Sequence, residues 1–138
     1  MKLQIIIEKA DHGELFGRIE GKGDFMPVTV AKSAEGVIKN IRELVKDYKK
    51  HEGKQDLFWK KVNVDTVTWE VCYDVQAFFM QHPYLSITAV AGIAGINPGL
   101  LRQYSSGVKH PSAKQVVKIE KAIKQIVKQL KTVTLYAA

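Results

Sequence analysis

The chain has 138 residues, of which 46% are hydrophobic and 25% are charged, and its formal net charge is +7. This length fits one domain of ordinary size or two small ones, and the apolar content is sufficient for a folded core. The first apolar run is too short for a signal peptide, and the charge-free run 83–101 contains Ser, Asn, Pro and Gly, which argues against a membrane helix.

The cysteine content bears on the cellular compartment. A single cysteine, Cys72, excludes an internal disulfide, and it lies in a strand-like run. We therefore expect a buried or half-buried thiol in a reducing compartment. Together with the composition, this predicts a soluble cytoplasmic protein.

The N-terminal part of the chain predicts three β-strands. Apolar and polar side chains alternate over 2–9 and again over 14–20, and a shorter strand is expected at 25–31. Turns rich in Asp and Gly separate the three runs, so the first two strands are expected to form a hairpin. Pro27 lacks a backbone N–H, which suits an edge strand or the start of a strand.

A long amphipathic helix is predicted next. Ser33 can cap a helix over 34–50, in which apolar residues recur at helical spacing and form one face. A polar loop follows at 51–55. The run 62–73 is rich in β-branched and aromatic residues and predicts a fourth strand. The first domain, 1–73, therefore has the order β-β-β-α-β, which makes the fold class α+β.

The remainder, 74–138, predicts an all-α domain. Residues 74–81 are expected to form its first helix and to pack on the helices that follow. Ser112 caps a last helix that runs from 113 to about 131, and its apolar stripe is wide enough to serve dimerisation as well as the core. The run 132–136 is strand-like and could join the sheet of this chain or of a partner.

The run 86–112 predicts a helix-turn-helix. Ser86 caps a first helix, Gly95 ends it in a left-handed conformation, and Asn97 with Pro98 starts the second helix. Two helices across a short turn that contains glycine form this motif. Ala91 and Gly95 are small, so they are also expected to allow close approach of the two backbones at the crossing. The apolar residues expected at the helix crossing are Val90, Ala91, Ala94, Ile96, Leu101 and Tyr104.

This stretch resembles the Cro/repressor-like (Xre-type) helix-turn-helix domain. The matching residues are Ala91, Gly95, Ile96, Leu101, Tyr104, Gly107, Lys109, His110, Pro111 and Ser112. The resemblance implies that the second helix enters the major groove of DNA, where its early residues contact base edges. Two of those early positions hold Pro98 and Gly99, which have no side-chain donor, and Ile87 stands where a phosphate-contacting glutamine is frequent.

The candidate DNA-binding residues are Asn97, Arg102, Gln103, Ser106, Lys109 and Lys114. Among them, Arg102 can pair with guanine and Gln103 with adenine, whereas the serine and the two lysines are candidates for phosphate contacts. Between 83 and 131 the chain has eight basic residues and one acidic residue, whereas between 1 and 60 it has twelve basic and ten acidic residues. This imbalance is expected of a nucleic-acid-binding module, although a solvated basic helix would also produce it.

Three features of 1–73 together resemble the HicB antitoxin family: the element order, the opening IIIEK before a hairpin, and a Ser-capped helix that contains KNIRE. That family also carries a C-terminal helix-turn-helix. The resemblance implies a partial RNase H-like fold that binds and blocks a small mRNA-degrading toxin, HicA, and a second domain that binds the operator. The family's glycine- and proline-rich loop is partly present, as Gly21, Gly23 and Pro27.

No enzyme active site is predicted. The histidines are dispersed, no phosphate-binding glycine loop is present, and Glu8 and Asp11 do not complete a carboxylate cluster. We therefore expect no catalytic residue, no metal and no cofactor, and the toxin-binding residues are unassigned.

The sequence thus predicts the antitoxin of a type II toxin-antitoxin system, acting also as an autoregulatory transcriptional repressor. Its expected partners are double-stranded operator DNA, a HicA-like toxin and further copies of itself, as a homodimer or higher oligomer. Two alternatives stay open. One is a protein-interaction module that binds no DNA, and the other is an orphan HicB-like regulator without a toxin.

Overall fold

The computed structural model describes all residues, Met1–Ala138, and contains one mixed four-stranded sheet and six α-helices. The fold class is therefore α+β, as predicted. The chain divides into two compact units, Met1–Gln81 and His82–Ala138, which we call the sheet unit and the helical unit. None of the helices combines the length and the apolar composition that crossing a lipid bilayer requires.

The four strands of the sheet unit are β1 (Lys2–Lys9), β2 (Leu15–Arg18), β3 (Val28–Ala31) and β4 (Thr68–Tyr73), in the spatial order β3-β2-β1-β4. β2 pairs antiparallel with both β1 and β3, so the predicted hairpin is confirmed. β4 lies parallel to β1, with Lys2 opposite Thr68. The first and last strands of the unit are therefore neighbours.

Helix α1 (Ala34–Lys50) covers one face of the sheet. The Ser33 hydroxyl accepts a hydrogen bond from the Gly36 N–H at 3.0 Å, which confirms the predicted cap. The buried face of α1 packs with the inward side chains of β1 and β2 in one core. Its close approach to β2 occurs at Gly17, where a Cβ would overlap the Val37 side chain.

The third strand is shorter than predicted. It begins at Val28 because Phe25 turns its ring into the core rather than continuing the strand. The Phe25 ring stacks on Tyr48 with centroids 4.1 Å apart and meets Trp59 edge-on at 6.1 Å. The strand thus begins only after this aromatic contact, and the Pro27 carbonyl just before it accepts a hydrogen bond from the Ile19 N–H at 3.2 Å.

The fourth strand covers only the second half of the predicted run 62–73. A short helix that was not predicted, α2 (Leu57–Lys60), is capped by Asp56, and turns follow it until β4 begins at Thr68. The valines of the intervening segment are nevertheless buried in the core: Val62, Val64 and Val67. Their β-branched pattern therefore reflects the burial of a loop rather than a strand.

Helix α3 (Val75–Gln81) belongs to the sheet unit, so the boundary lies after Gln81 rather than after residue 73. Asp74 caps this helix by accepting a hydrogen bond from the Ala77 N–H at 2.7 Å. Ala77 is fully buried in the sheet unit's core, and Met80 packs against that core. Residues 74–81 therefore hold the last helix of the sheet unit, and the prediction that they form the first helix of the second domain is wrong.

The helical unit contains α4 (Ile87–Ala94), α5 (Pro98–Ser106) and α6 (Ala113–Leu130), and α4 contacts both of the others. Its buried side chains are Val90, Ala91, Ile96, Leu101, Tyr104, Ile119 and Ala122. Five of the six predicted crossing positions are buried, and Ala94 is half-buried. The strand-like run 132–136 forms no strand, and its Leu135 and Tyr136 are 87% and 88% exposed.

Candidate nucleic-acid interface

Helix α4 begins and ends where the sequence predicts. The Ser86 hydroxyl accepts from the Ala89 N–H at 3.1 Å. Gly95 has φ of 70°, and the Ile96 N–H beyond it reaches the Ala91 carbonyl at 3.0 Å. A Cβ on Gly95 would meet nothing within 4 Å. The left-handed conformation therefore requires this glycine. Gly95 does not lie at a close approach of the two backbones, whereas Ala91, the other small residue expected there, is fully buried.

Helix α5 begins with Pro98, directly after its cap residue Asn97. The Asn97 side-chain oxygen accepts from the N–H groups of Gly99 and Leu100, at 2.8 and 3.3 Å. That oxygen is occupied by the cap, so a contact between Asn97 and a base would use its amide N–H₂ group. Gly107, with φ of 83°, ends the helix.

The packing beneath α4 and α5 holds the two helices in a defined geometry. Leu101 is fully buried and Tyr104 is 7% exposed on the inner face of α5. Val90 and Ala91 are buried on α4, and Ile96 lies buried in the turn between the helices. We call α4, this turn and α5 the helix pair.

Arg102 bridges the two helices on their outer surface. Its guanidinium Nη2 donates to the Thr88 hydroxyl at 2.8 Å, and both side chains are exposed. A guanidinium carries five N–H donors, so this contact orients the group and leaves four donors. The sequence alone does not indicate this role for Thr88, because only the crossing of α4 and α5 brings positions 88 and 102 together.

Two further candidates lie along the same helix. Ser106 is one turn after Arg102, is exposed, and donates its hydroxyl to the Gln103 carbonyl at 3.2 Å. Gln103 itself is half-buried, so it lies at the edge of the exposed face. At the start of α5, Gly99 is exposed and Pro98 half-buried, which leaves the first turn without a projecting polar side chain.

The two candidate lysines follow α5: Lys109 lies in the segment that connects α5 to α6, and Lys114 lies in the first turn of α6. The Lys109 N–H donates to the Gln103 carbonyl at 3.2 Å, which attaches this segment to the end of α5. Lys114 is exposed in the first turn of α6, where Ser112 caps the helix by accepting from the Gln115 N–H. The structure thus places four candidates on or directly before α5 and the two lysines after it.

The helical unit has a strongly positive surface. It contains eight Lys and Arg residues and one acid, Glu120. The Glu120 carboxylate pairs with Lys124 at 2.9 Å, so the other basic side chains have no acid within the unit to neutralise them. An uncompensated basic surface attracts a polyanion and makes its binding sensitive to salt.

Comparisons with protein-family models, with curated proteins and with solved structures found no match. Nowhere in the structure do three or more His, Cys, Asp or Glu side chains come together as a possible metal site.

Proposed function

We propose that this chain is a HicB-like antitoxin that also represses transcription of its own operon. The helical unit acts as an Xre-type helix-turn-helix and contacts operator DNA. The sheet unit, with a partial RNase H-like fold, contacts a HicA-like toxin. The mechanism is steric: each unit covers a surface of its partner, no chemical bond is made or broken, and no cofactor takes part.

The observation that carries DNA binding is the helix pair with Arg102 fixed across it. The caps and left-handed glycines give α4 and α5 defined ends, and buried side chains fix their crossing. Thr88 holds the guanidinium on the outer surface, in a unit whose basic residues outnumber its acids by eight to one. A bidentate guanidinium recognises the edge of guanine in the major groove.

The start of α5 shapes how closely this helix approaches DNA. Pro98 and Gly99 project no long side chain, so the backbone of the first turn can come near the groove edge. Arg102 and Gln103 then supply direct readout, and Ser106, Lys109 and Lys114 supply phosphate contacts. Few base contacts per copy favour binding as a dimer at two half-sites.

Helix α6 offers the surface for such a dimer. Val127 and Leu130 are 58% and 64% exposed on its second half, and Val116 is 38% exposed near its start. Exposed apolar residues along one helix favour association with a second copy. Homodimerisation is therefore part of the proposal.

The test is a fluorescence-anisotropy titration of the purified chain with a duplex from its own promoter and with a scrambled duplex, at two salt concentrations. Tighter binding to the promoter duplex at both salts is the expected result. Equal, salt-sensitive binding to both duplexes would reduce the proposal to a basic surface, and no binding to either would contradict it.

A second candidate is a protein-interaction module that binds no DNA. The first turn of α5 favours it, because Pro98 and Gly99 have no side-chain donor and the Asn97 oxygen is engaged in capping. This candidate predicts a complex with a toxin or other protein that forms without DNA and is insensitive to salt.

The other alternative is an orphan HicB-like regulator without a toxin. A small toxin gene beside the gene for this chain would argue against it.

A further inference from the structure

The sheet unit contains a group of lysines that its overall charge conceals. Lys46, Lys49, Lys50, Lys60 and Lys61 line one shallow surface depression of about 610 Å³, and we call them the lysine cluster. The first three lie at the end of α1, and the other two lie at the end of α2. Charge counted along residues 1–60 is nearly balanced, so only the fold shows this concentration.

The lysine cluster has little compensating negative charge. Asp65 is the one acid that lines the depression, and it is shared between Arg42 at 3.1 Å and Lys46 at 3.5 Å. Lys49 donates to the Val62 carbonyl. The remaining three ammonium groups, on Lys50, Lys60 and Lys61, are exposed and take part in no ion pair.

The ends of helices explain part of this arrangement. Lys49 and Lys50 lie in the last turn of α1, and Lys60 lies in that of α2. A cation at a helix C-terminus interacts favourably with the helix dipole. This interaction with the helix dipole accounts for single lysines. It does not offset the mutual repulsion of several ammonium groups around one depression. An anionic partner would offset it.

The chemistry of the depression favours phosphate over an acidic protein. Protein interfaces need apolar or aromatic anchors and are depleted in lysine. The valines that line this depression cannot serve as anchors, because Val62 and Val64 are 1% and 5% exposed and belong to the core. Phosphate groups need only the ammonium charges, which lysine supplies as compact point charges.

We propose that the lysine cluster binds the phosphodiester backbone of DNA, as a contact surface additional to the helix pair. The inference rests on the proposed function for the identity of the nucleic acid. Each ammonium that neutralises a phosphate releases a counterion, and the slope of log K against log salt steepens by about 0.9 per contact. The sheet unit therefore contributes to affinity without reading sequence.

The experiment compares two charge-matched variants of the full-length chain. The test variant is Lys50→Gln/Lys60→Gln. The control variant is Lys9→Gln/Lys32→Gln, which removes two exposed, unpaired lysines of the same unit outside the depression. Binding to a long promoter duplex and to its scrambled counterpart is titrated over a series of salt concentrations.

The test variant loses two phosphate contacts, and each contributes roughly 0.9 to the slope of log K against log salt. We therefore expect this salt slope to flatten by about two units. The loss should be equal on the promoter and scrambled duplexes, and the control variant should match the unchanged chain. Restoring the charge with Lys50→Arg/Lys60→Arg should restore the slope. This variant and a thermal unfolding curve separate lost contacts from lost folding.

The outcomes distinguish the inference from the proposed function. The inference alone is overturned if the test variant keeps the salt slope of the unchanged chain while the unchanged chain prefers its promoter. The same result is expected if the lysine cluster binds an acidic protein. A flattened slope without promoter preference in the unchanged chain supports the inference and overturns the proposed repressor. A chain that binds neither duplex overturns both.

Discussion

At the scale of single residues, a buried carboxylate organises one end of the sheet unit. Asp56 is 8% exposed and accepts hydrogen bonds from the Asp24 N–H at 2.9 Å and the Tyr48 hydroxyl at 2.7 Å. It also accepts from two N–H groups at the start of α2. These hydrogen bonds, that of the Asp24 N–H foremost, lower the pKa of Asp56, and the bond to Asp56 raises the pKa of Tyr48 to about 12.

Tyr48 should therefore ionise late. Its folded-state pKa lies above the ordinary value of 10.0, so this hydroxyl stabilises the fold fully below pH 10 and loses that effect as the pH rises toward 12. An ultraviolet titration of the folded chain should show a tyrosine step near pH 12 that is missing from Tyr48→Phe. Identical titration curves for the two proteins would contradict this assignment.

Asp56 should lose its stabilising effect in acid, whereas Tyr48 loses its own in alkali. Because its folded-state pKa is lowered below the ordinary value of 3.8, the ionised carboxylate stabilises the fold above that pH, and this contribution falls as the pH drops toward the folded value. Asp56→Asn should lower the urea midpoint at pH 7, and the gap between variant and unchanged chain should narrow at pH 3. A gap that does not change with pH would exclude this role.

The proposed function predicts that Arg102 and Lys109 contribute differently to DNA binding. Arg102→Ala should cost about 1–3 kcal/mol on the operator and relax the sequence preference, because a base contact is lost. Lys109→Ala should weaken all duplexes alike and flatten the salt slope by about one unit. Titrations of both variants against promoter and scrambled duplexes make the comparison. If Arg102→Ala keeps its operator affinity and preference, Arg102 reads no base.

At the scale of elements, the helix ends were predictable and the element partners were not. Ser33, Ser86, Asn97 and Ser112 each accept a hydrogen bond from an N–H two or three residues ahead, so the signal is local in the sequence. The strand wrongly extended over 62–67 shows the limit of such patterns. Buried valines in a loop carry the same residue preference as a strand, and only their tertiary contacts differ.

The packing of α1 on β2 depends on one missing side chain. A Cβ at Gly17 would overlap Val37, which is itself fully buried. Gly17→Ala should therefore reduce the free energy of unfolding by about 1–3 kcal/mol, the usual cost of overpacking. Urea denaturation measures this change.

Val37→Ala provides the matched control for that substitution. Because it makes room for the new methyl group, the double variant should be less destabilised than the sum of the two single variants. Strict additivity would show that Gly17 and Val37 do not compete for the same space.

At the scale of the whole molecule, the division into two units is the property that the sequence predicted least accurately. Residues 74–81 have the cap and apolar anchors of a helix wherever they pack, so their sequence does not reveal which unit they join. Ala77 settles this question in the structure, because it is fully buried in the sheet unit's core. The lysine cluster is likewise a product of tertiary packing, since its members at the end of α1 and at the end of α2 are separated in the chain by the loop 51–56 and the start of α2.

This boundary predicts how the chain can be shortened. A chain that ends at Gln81 should unfold cooperatively, whereas one that ends at Tyr73 should be less stable by about 2 kcal/mol or more, the typical cost of losing a buried apolar side chain. Urea denaturation followed by tryptophan fluorescence compares the two, since both retain Trp59 and Trp69. Equal midpoints would restore the boundary at 73.

The parallel pairing of β1 with β4 also sets an order of events on the ribosome. β1 is made first, but its neighbour is complete only when Tyr73 has been added. At about 5–20 residues per second, β1 waits on the order of several seconds with an unpaired edge, and such an edge favours aggregation between nascent chains. The four-stranded sheet of a newly made chain is therefore complete only after this interval.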